Sequence, residues 1–201
     1  MNPVWTRRAL IAFLLAVLAI CGMLLYRLAM ERTISPATVS GEALVGGPFE
    51  LTDQDGNKVT DQTYKGKLML IYFGFTYCPD ACPTALGVMS AALDKLDVSA
   101  DRVVPVLITV DPERDTPQVL KDYVSNFRPG MVGLTGTQEQ IAQVAKAYRV
   151  YYQKAAGATS EDYLMDHTLL IYLMNGEGKF VKHFTAEATP DQIADEIRKH
   201  L

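Results

Sequence analysis

Two cysteines four positions apart, Cys78 and Cys82, sit in the segment Phe73-Gly74-Phe75-Thr76-Tyr77-Cys78-Pro79-Asp80-Ala81-Cys82-Pro83. An apolar run leads in and a helix-patterned segment leads out. With a helix beginning near Pro79 or Asp80, Cys78 stands at its start and Cys82 about one turn later, on the same face. A helix N-terminus carries partial positive charge and free N–H groups, which favour thiolate over thiol. Thiolate binds soft metals and also attacks disulfides, so the arrangement admits two chemistries. The spacing is C-x-x-x-C, a departure from the C-x-x-C usual in thioredoxin-like oxidoreductases. A structural disulfide is a third reading, made less attractive by the prolines at this strand-to-helix junction.

A third donor is sought among the histidines, of which there are three: His167, His183 and His200. His200 lies next to the C-terminus and reads as solvated; His183, in Lys179 to Phe184, reads as a surface or edge strand residue. His167 stands in Tyr163-Leu164-Met165-Asp166-His167-Thr168, just before an apolar run from Leu169, where a thioredoxin-like sheet brings a strand toward the dithiol helix. Two thiolates and an imidazole are soft to borderline donors that suit Cu(I), with Cu(II) and Zn(II) left open. Three ligands leave the metal able to pass to an incoming donor. Asp166 is a candidate acceptor for the imidazole's second nitrogen. Met165 reads as core, like Met69, Met89 and Met174.

The elements that must position these residues follow from periodicity. Phe49 to Thr52 and Asp55-Gly56-Asn57 suggest a short hairpin. The continuous apolar runs Leu68 to Phe75 and Val103 to Val110 mark strands buried on both faces, with Pro105 an irregularity in the second. Pro83 to Leu96 has helical spacing. Thr116-Pro117 opens a helix to about Phe127, and Thr137 with Gln140 makes a capping box for a helix through Tyr148. Val150 to Lys154 reads as extended. Leu169 to Met174 and Lys179 to Phe184 flank Asn175-Gly176-Glu177-Gly178, a hairpin signal, and Thr189-Pro190 with Gln192 opens a closing helix. The pattern predicts an α/β thioredoxin-like layer sandwich.

Ahead of this domain, Ala9 to Tyr26 carries no charged side chain. As a helix it would span roughly 27 Å, close to a bilayer's hydrocarbon thickness. Arg7 and Arg8 before it orient residues 1–8 to the cytoplasm and the main domain outside, the periplasm in a bacterium, although Arg27 directly after it weakens the asymmetry. A cleaved signal peptide is the rival reading, but the stretch is long for one and Arg27-Leu28-Ala29-Met30 is a poor cleavage site. Cys21 reads as a lipid-facing or packing residue, since Ile20 occupies the position where lipid attachment expects a small residue. The expected organisation is a cytoplasmic N-terminus over 1–8, a transmembrane anchor over 9–28, a Gly/Pro-containing linker over 29–47 and a folded domain over 48–201.

The formal net charge of −4 and the lack of a Lys/Arg stripe argue against nucleic-acid binding. Three cysteines are too few for a disulfide scaffold.

Four blocks, Tyr72 to Leu86 (YFGFTYCPDACPTAL), Thr109 to Pro117 (TVDPERDTP), Val132 to Gly136 (VGLTG) and Asp162 to Leu173 (DYLMDHTLLIYL), resemble the Sco/SenC copper proteins in order along the chain. The resemblance implies a thioredoxin fold binding one copper, as Cu(I) or Cu(II), through Cys78, Cys82 and His167. It also implies a part in assembling the dinuclear copper centre of cytochrome c oxidase subunit II, as copper donor, as thiol reductant for that subunit's cysteines, or as both. The chain is thus expected to be a metallochaperone rather than an enzyme. Thiol–disulfide oxidoreductase activity at Cys78 and Cys82 is the alternative, a copper or redox sensor stays open, and peroxiredoxin-like chemistry would need Arg114 or Arg128 beside a cysteine. A Cys78–Cys82 disulfide cannot supply two thiolates, so a thiol reductant is expected as a partner. The DPERDTP block supplies no soft ligand and reads as a Pro-rich strand-to-helix turn with Thr116 capping; the alternative is that Asp111, Arg114 and Asp115 help dock the partner or shape the metal loop.

Overall fold

The computed structural model describes residues 15, 17–23, 45–96, 102–155 and 163–201. The chain divides into two compact units, Met1–Glu42 and Ala43–Leu201. In the first, residues 15 and 17–23 are helical and exposed; the rest of the expected anchor over 9–28, and the linker up to residue 44, lie outside the described residues. Among the described residues no helix is long and apolar enough to cross a membrane.

The second unit is a mixed sheet with helices packed on it. Strands β1 (Glu50–Asp53) and β2 (Lys58–Thr60) form the expected N-terminal hairpin. Asp53 closes its turn by accepting the N–H groups of Asp55 and Asn57 on Oδ1, at 2.9 and 2.8 Å. Strands β3 (Leu68–Gly74) and β4 (Val103–Thr109) are buried at every residue and run parallel, joined through α1 (Ala81–Asp94). This is the central strand–helix–strand unit of a thioredoxin-like fold. Helix α2 (Pro117–Val124) then leads to β5 (Val132–Thr135), parallel to β4. Helix α3 (Gln138–Ala147) leads to the small β6 (Tyr152–Lys154) and β7 (Met165–His167) pair. The hairpin β8 (Ile171–Met174) and β9 (Phe180–Phe184) and helix α4 (Pro190–Arg198) end the fold. The large sheet runs β2-β1-β5-β4-β3-β8-β9.

The caps read from the sequence are made. Thr116, Thr137 and Thr189 each accept the N–H three residues on, and the latter two form reciprocal boxes with Gln140 and Gln192. Pro105 lies within a central strand, a position that ordinarily excludes proline. Its neighbour β5 pairs only with Val106, Leu107 and Ile108, so Pro105 lies beyond the end of that ladder. Two strands were not legible from periodicity. Val132-Gly133-Leu134-Thr135 is short and glycine-interrupted, and β7 is three residues whose pairing with Tyr152–Lys154 only tertiary structure supplies. Met69, Met89, Met165 and Met174 are core residues, as expected. His183 is exposed on the edge strand β9 and stacks on Phe180, and His200 is exposed beside Glu196.

Candidate metal centre

Residues 75–80 connect the C-terminal end of β3 to α1, and this loop carries the first cysteine. The helix begins at Ala81, later than the sequence suggested, with Asp80 as the residue before it. Cys78 therefore precedes the helix, and Cys82 alone lies in its first turn. The sulfurs are brought together by a cap rather than by a shared helical face. Asp80 makes no side-chain cap, and instead the Cys82 N–H donates to Cys78 Sγ at 3.3 Å. A sulfur thus takes one of the unpaired N–H groups that every helix start leaves.

The histidine arrives by sheet register. Strand β8 is antiparallel to β3, with Ile171 opposite Tyr72, so the residues just before β8 reach the loop that follows β3. The short β6–β7 pair sets His167 opposite Tyr152, and Thr168 N–H donates to the Tyr151 carbonyl at 3.0 Å. His167 Nε2 lies 3.5 Å from Cys82 Sγ. Its Nδ1 faces the Thr168 carbonyl at 3.2 Å. A carbonyl can only accept, so the proton sits on Nδ1 and the Nε2 lone pair points at the sulfurs. Thr168, not the exposed Asp166, is the acceptor that orients the ring. The Tyr72 and Phe75 rings meet it edge-on, with centroids 5.9 and 5.8 Å away.

Cys78 Sγ, Cys82 Sγ and a His167 ring nitrogen all lie within 4.8 Å of one another, and this is the one group of potential metal ligands among the described residues. The two thiols are unlike. Cys82 is fully buried and Cys78 half-buried. Hydrogen bonding from the Cys82 side chain draws the Cys78 thiol down to about 5 against the opposing effect of burial, helped by the Cys82 and Asp80 N–H groups and by His167. The same contact pushes the Cys82 thiol up, reinforced by burial, while the Phe75 N–H and the Tyr72 hydroxyl pull the other way. One proton shared by two sulfurs resides on the inner one. Cys78 presents a thiolate toward an open cleft bordered by Pro79, Leu164 and Leu169.

One supporting feature escaped the sequence reading, and a second was left open by it. Gly74 closes β3 where the backbone passes the buried sulfur; a Cβ there would lie 2.9 Å from Cys82 Sγ and 2.9 Å from a Tyr72 ring carbon. A glycine ending an otherwise bulky buried strand was the available signal, since such a residue often marks a close approach. The DPERDTP block bears on the loop as well as capping α2. Asp115, fully buried, accepts from the Thr76 N–H at 3.1 Å and from the Thr76 and Thr109 hydroxyls at 2.6 Å each. Burial pushes the Asp115 carboxyl up, opposed by these bonds. Thr76 lies two residues before Cys78, so this carboxylate fixes the loop from beneath. Arg128, one of the two arginines nominated for peroxidase chemistry, pairs with Asp94 at the end of α1.

A parallel strand–helix–strand core bearing a dithiol at its helix start and a histidine converging on it defines a thioredoxin-like metal-binding protein. The chain matches the SCO1/SenC family over residues 37–201 and belongs to it. It is 44% identical over 163 residues to the human mitochondrial SCO1 homolog, a match covering 80% of this chain and 54% of that protein. The chain spans about half the length of that relative and of the mitochondrial SCO1 homolog 1 of Arabidopsis thaliana, of which it covers 48%. Among solved structures, it is similar to Bradyrhizobium japonicum ScoI with copper bound, at 49% identity and a TM-score of 0.72 over 78% of this chain and 99% of that one. It also resembles BsSco, described as having a disulfide switch and as a member of the Sco family of cytochrome c oxidase assembly proteins. That likeness has 27% identity and a TM-score of 0.61 over 80% of this chain and 94% of that one.

Proposed function

We propose that this chain is a membrane-tethered copper carrier in cytochrome c oxidase assembly, holding copper on Cys78 Sγ, Cys82 Sγ and His167 Nε2 and passing it to the copper centre of subunit II. The observation that carries this reading is the convergence of those three donors within 4.8 Å. Two sulfurs and an imidazole match the softness of Cu(I) and accept Cu(II), and the copper-bound B. japonicum relative supports the same metal. The half-buried Cys78 is the donor through which metal enters and leaves, whereas Cys82 and His167 hold it from behind. The apolar stretch over 9–28 supports an anchor in a bacterial inner membrane, with residues 1–8 cytoplasmic, 29–47 as linker and 48–201 in the periplasm. The test is transfer: Cu(I)-loaded full-length chain is mixed with apo subunit II fragment, the two are separated, and copper is measured in each. Copper moving to the fragment is expected. In His167→Ala, copper affinity should fall by orders of magnitude while the Cys78–Cys82 couple stays operative; full-strength binding in that variant overturns the carrier reading.

A second reading is favoured by one observation, the Cys78 thiolate held at about 5 beside a protonated Cys82. In it the chain is a thiol–disulfide oxidoreductase. Cys78 attacks a disulfide between the partner's copper-ligand cysteines, Cys82 then displaces the partner sulfur, and the partner leaves as a dithiol while Cys78–Cys82 becomes the disulfide. An external thiol reductant must restore the pair in either reading, because the disulfide form offers no thiolates to copper.

A further inference from the structure

Arg114 stands where the cysteine segment and the histidine segment meet. Its Nε donates to Asp111 Oδ2 at 2.5 Å, and the side chains are only 17% and 2% exposed. The guanidinium lies 3.7 Å from the centroid of the Tyr163 ring, 4.8 Å from Tyr77 and 5.9 Å from Phe75. Tyr77 adjoins Cys78, and Phe75 packs edge-on against His167. Tyr163 enters β7, the strand that ends in His167, and its hydroxyl donates to Asp111 Oδ1 at 2.7 Å. One carboxylate therefore holds both the cation and the ring that the cation covers.

A planar guanidinium can stack on aromatic faces while its edge donates to a carboxylate; an ammonium supplies the charge without the plane. We propose that Arg114, held by Asp111, is a positioning residue for the metal centre, setting the separation of the cysteine loop from His167 by clasping Tyr77 and Tyr163. This rests on the reading of Cys78, Cys82 and His167 as one metal site. The clasp explains how two loops more than 80 residues apart in sequence keep an Nε2–Sγ distance of 3.5 Å before any metal arrives. It leaves the donors themselves unchanged, so its loss is felt through His167 and not through the dithiol.

The test uses the full-length reduced chain with Arg114→Gln and Arg114→Lys, each alone and combined with His167→Ala. Cu(I) affinity is read by competition with a chromophoric chelator, and the metal-free His167 ring is read by nitrogen NMR. Arg114→Gln should weaken copper about 10- to 100-fold, the range seen when groups supporting a metal ligand are removed. Arg114→Lys should lose most of the same affinity. In the His167→Ala background Arg114→Gln should change affinity by no more than about twofold, because the interaction it supports is already gone. Without metal, the wild-type ring should report the Nδ1–H form set by Thr168, and in Arg114→Gln the Nε2 resonance should shift as the ring moves away from Cys82. Unchanged affinity with an unchanged ring overturns the clasp, as does an equal loss in both backgrounds, which marks general destabilisation. Should Arg114→Gln fail to fold, Arg114→Lys, which keeps the charge pair with Asp111, decides by the same two measurements. A wild-type chain that binds no copper refutes the metal reading, and the ring measurement then decides the clasp by itself.

Discussion

Lowering the pH changes how many protons copper must displace, and the two thiols make that number predictable. With Cys78 drawn down to about 5, its sulfur is about 99% thiolate at pH 7. Cys82, pushed up by Cys78 and by burial, keeps its proton at pH 7 and below. Loading Cu(I) across both sulfurs at pH 7 therefore releases about one proton per copper, taken from Cys82. At pH 4, a unit below the Cys78 value, that thiol is about 90% protonated and release rises to about two. Two ordinary cysteines would release about two at both. In His167→Ala, where no imidazole proton competes, copper affinity should accordingly fall about tenfold per pH unit from 8 to 6 and about a hundredfold per unit below 5. Calorimetry in buffers of differing protonation heat counts the protons, and repeating it with His167→Ala subtracts any taken from the imidazole. Two protons released at pH 7, or a slope that does not steepen near pH 5, refutes the reading that the two sulfurs share a single proton.

Gly74→Ala should force Cys82 or Tyr72 out of place, costing about 1–3 kcal/mol as overpacking and lowering Tm by about 2–4 °C per kcal/mol for a domain of this size, with weakened copper binding. Gly87→Ala, on an open part of α1, is the control and should be neutral or slightly stabilising; equal effects in the two variants would contradict the close-approach account. Asp115→Asn leaves one oxygen where two accept three bonds and turns the other into an N–H₂ donor, which should cost about 1–3 kcal/mol, read as a Tm decrease and as altered alkylation kinetics at Cys78; an unchanged rate would show that Thr76 does not hold the cysteine loop.

Most of the scaffold was legible in the residues, along with a short choice of chemistries for the dithiol. The unbroken apolar runs over β3 and β4 can only be strands covered on both faces, because no alternation offers a solvent side. The threonine caps declare their helices, since a hydroxyl there satisfies an N–H that the helix leaves unpaired. Spacing marked Cys78 and Cys82 as a pair, and only its place before the Leu169 run in the expected fold set His167 apart from His183 and His200. What the tertiary structure decided was position. The helix starts at Ala81, and the cysteines meet through an N–H to sulfur bond because Cys78 takes the capping role that Asp80 leaves unfilled. His167 is aimed by the Thr168 carbonyl rather than by Asp166, since the β6–β7 pairing fixes which way that backbone faces. The unequal thiols arise from the hydrogen bond between the two sulfurs, with one sulfur enclosed and the other half-open, a difference no spacing encodes. Local patterns fix what depends on neighbours along the chain; distances between segments 85 residues apart depend on how the sheet orders its strands.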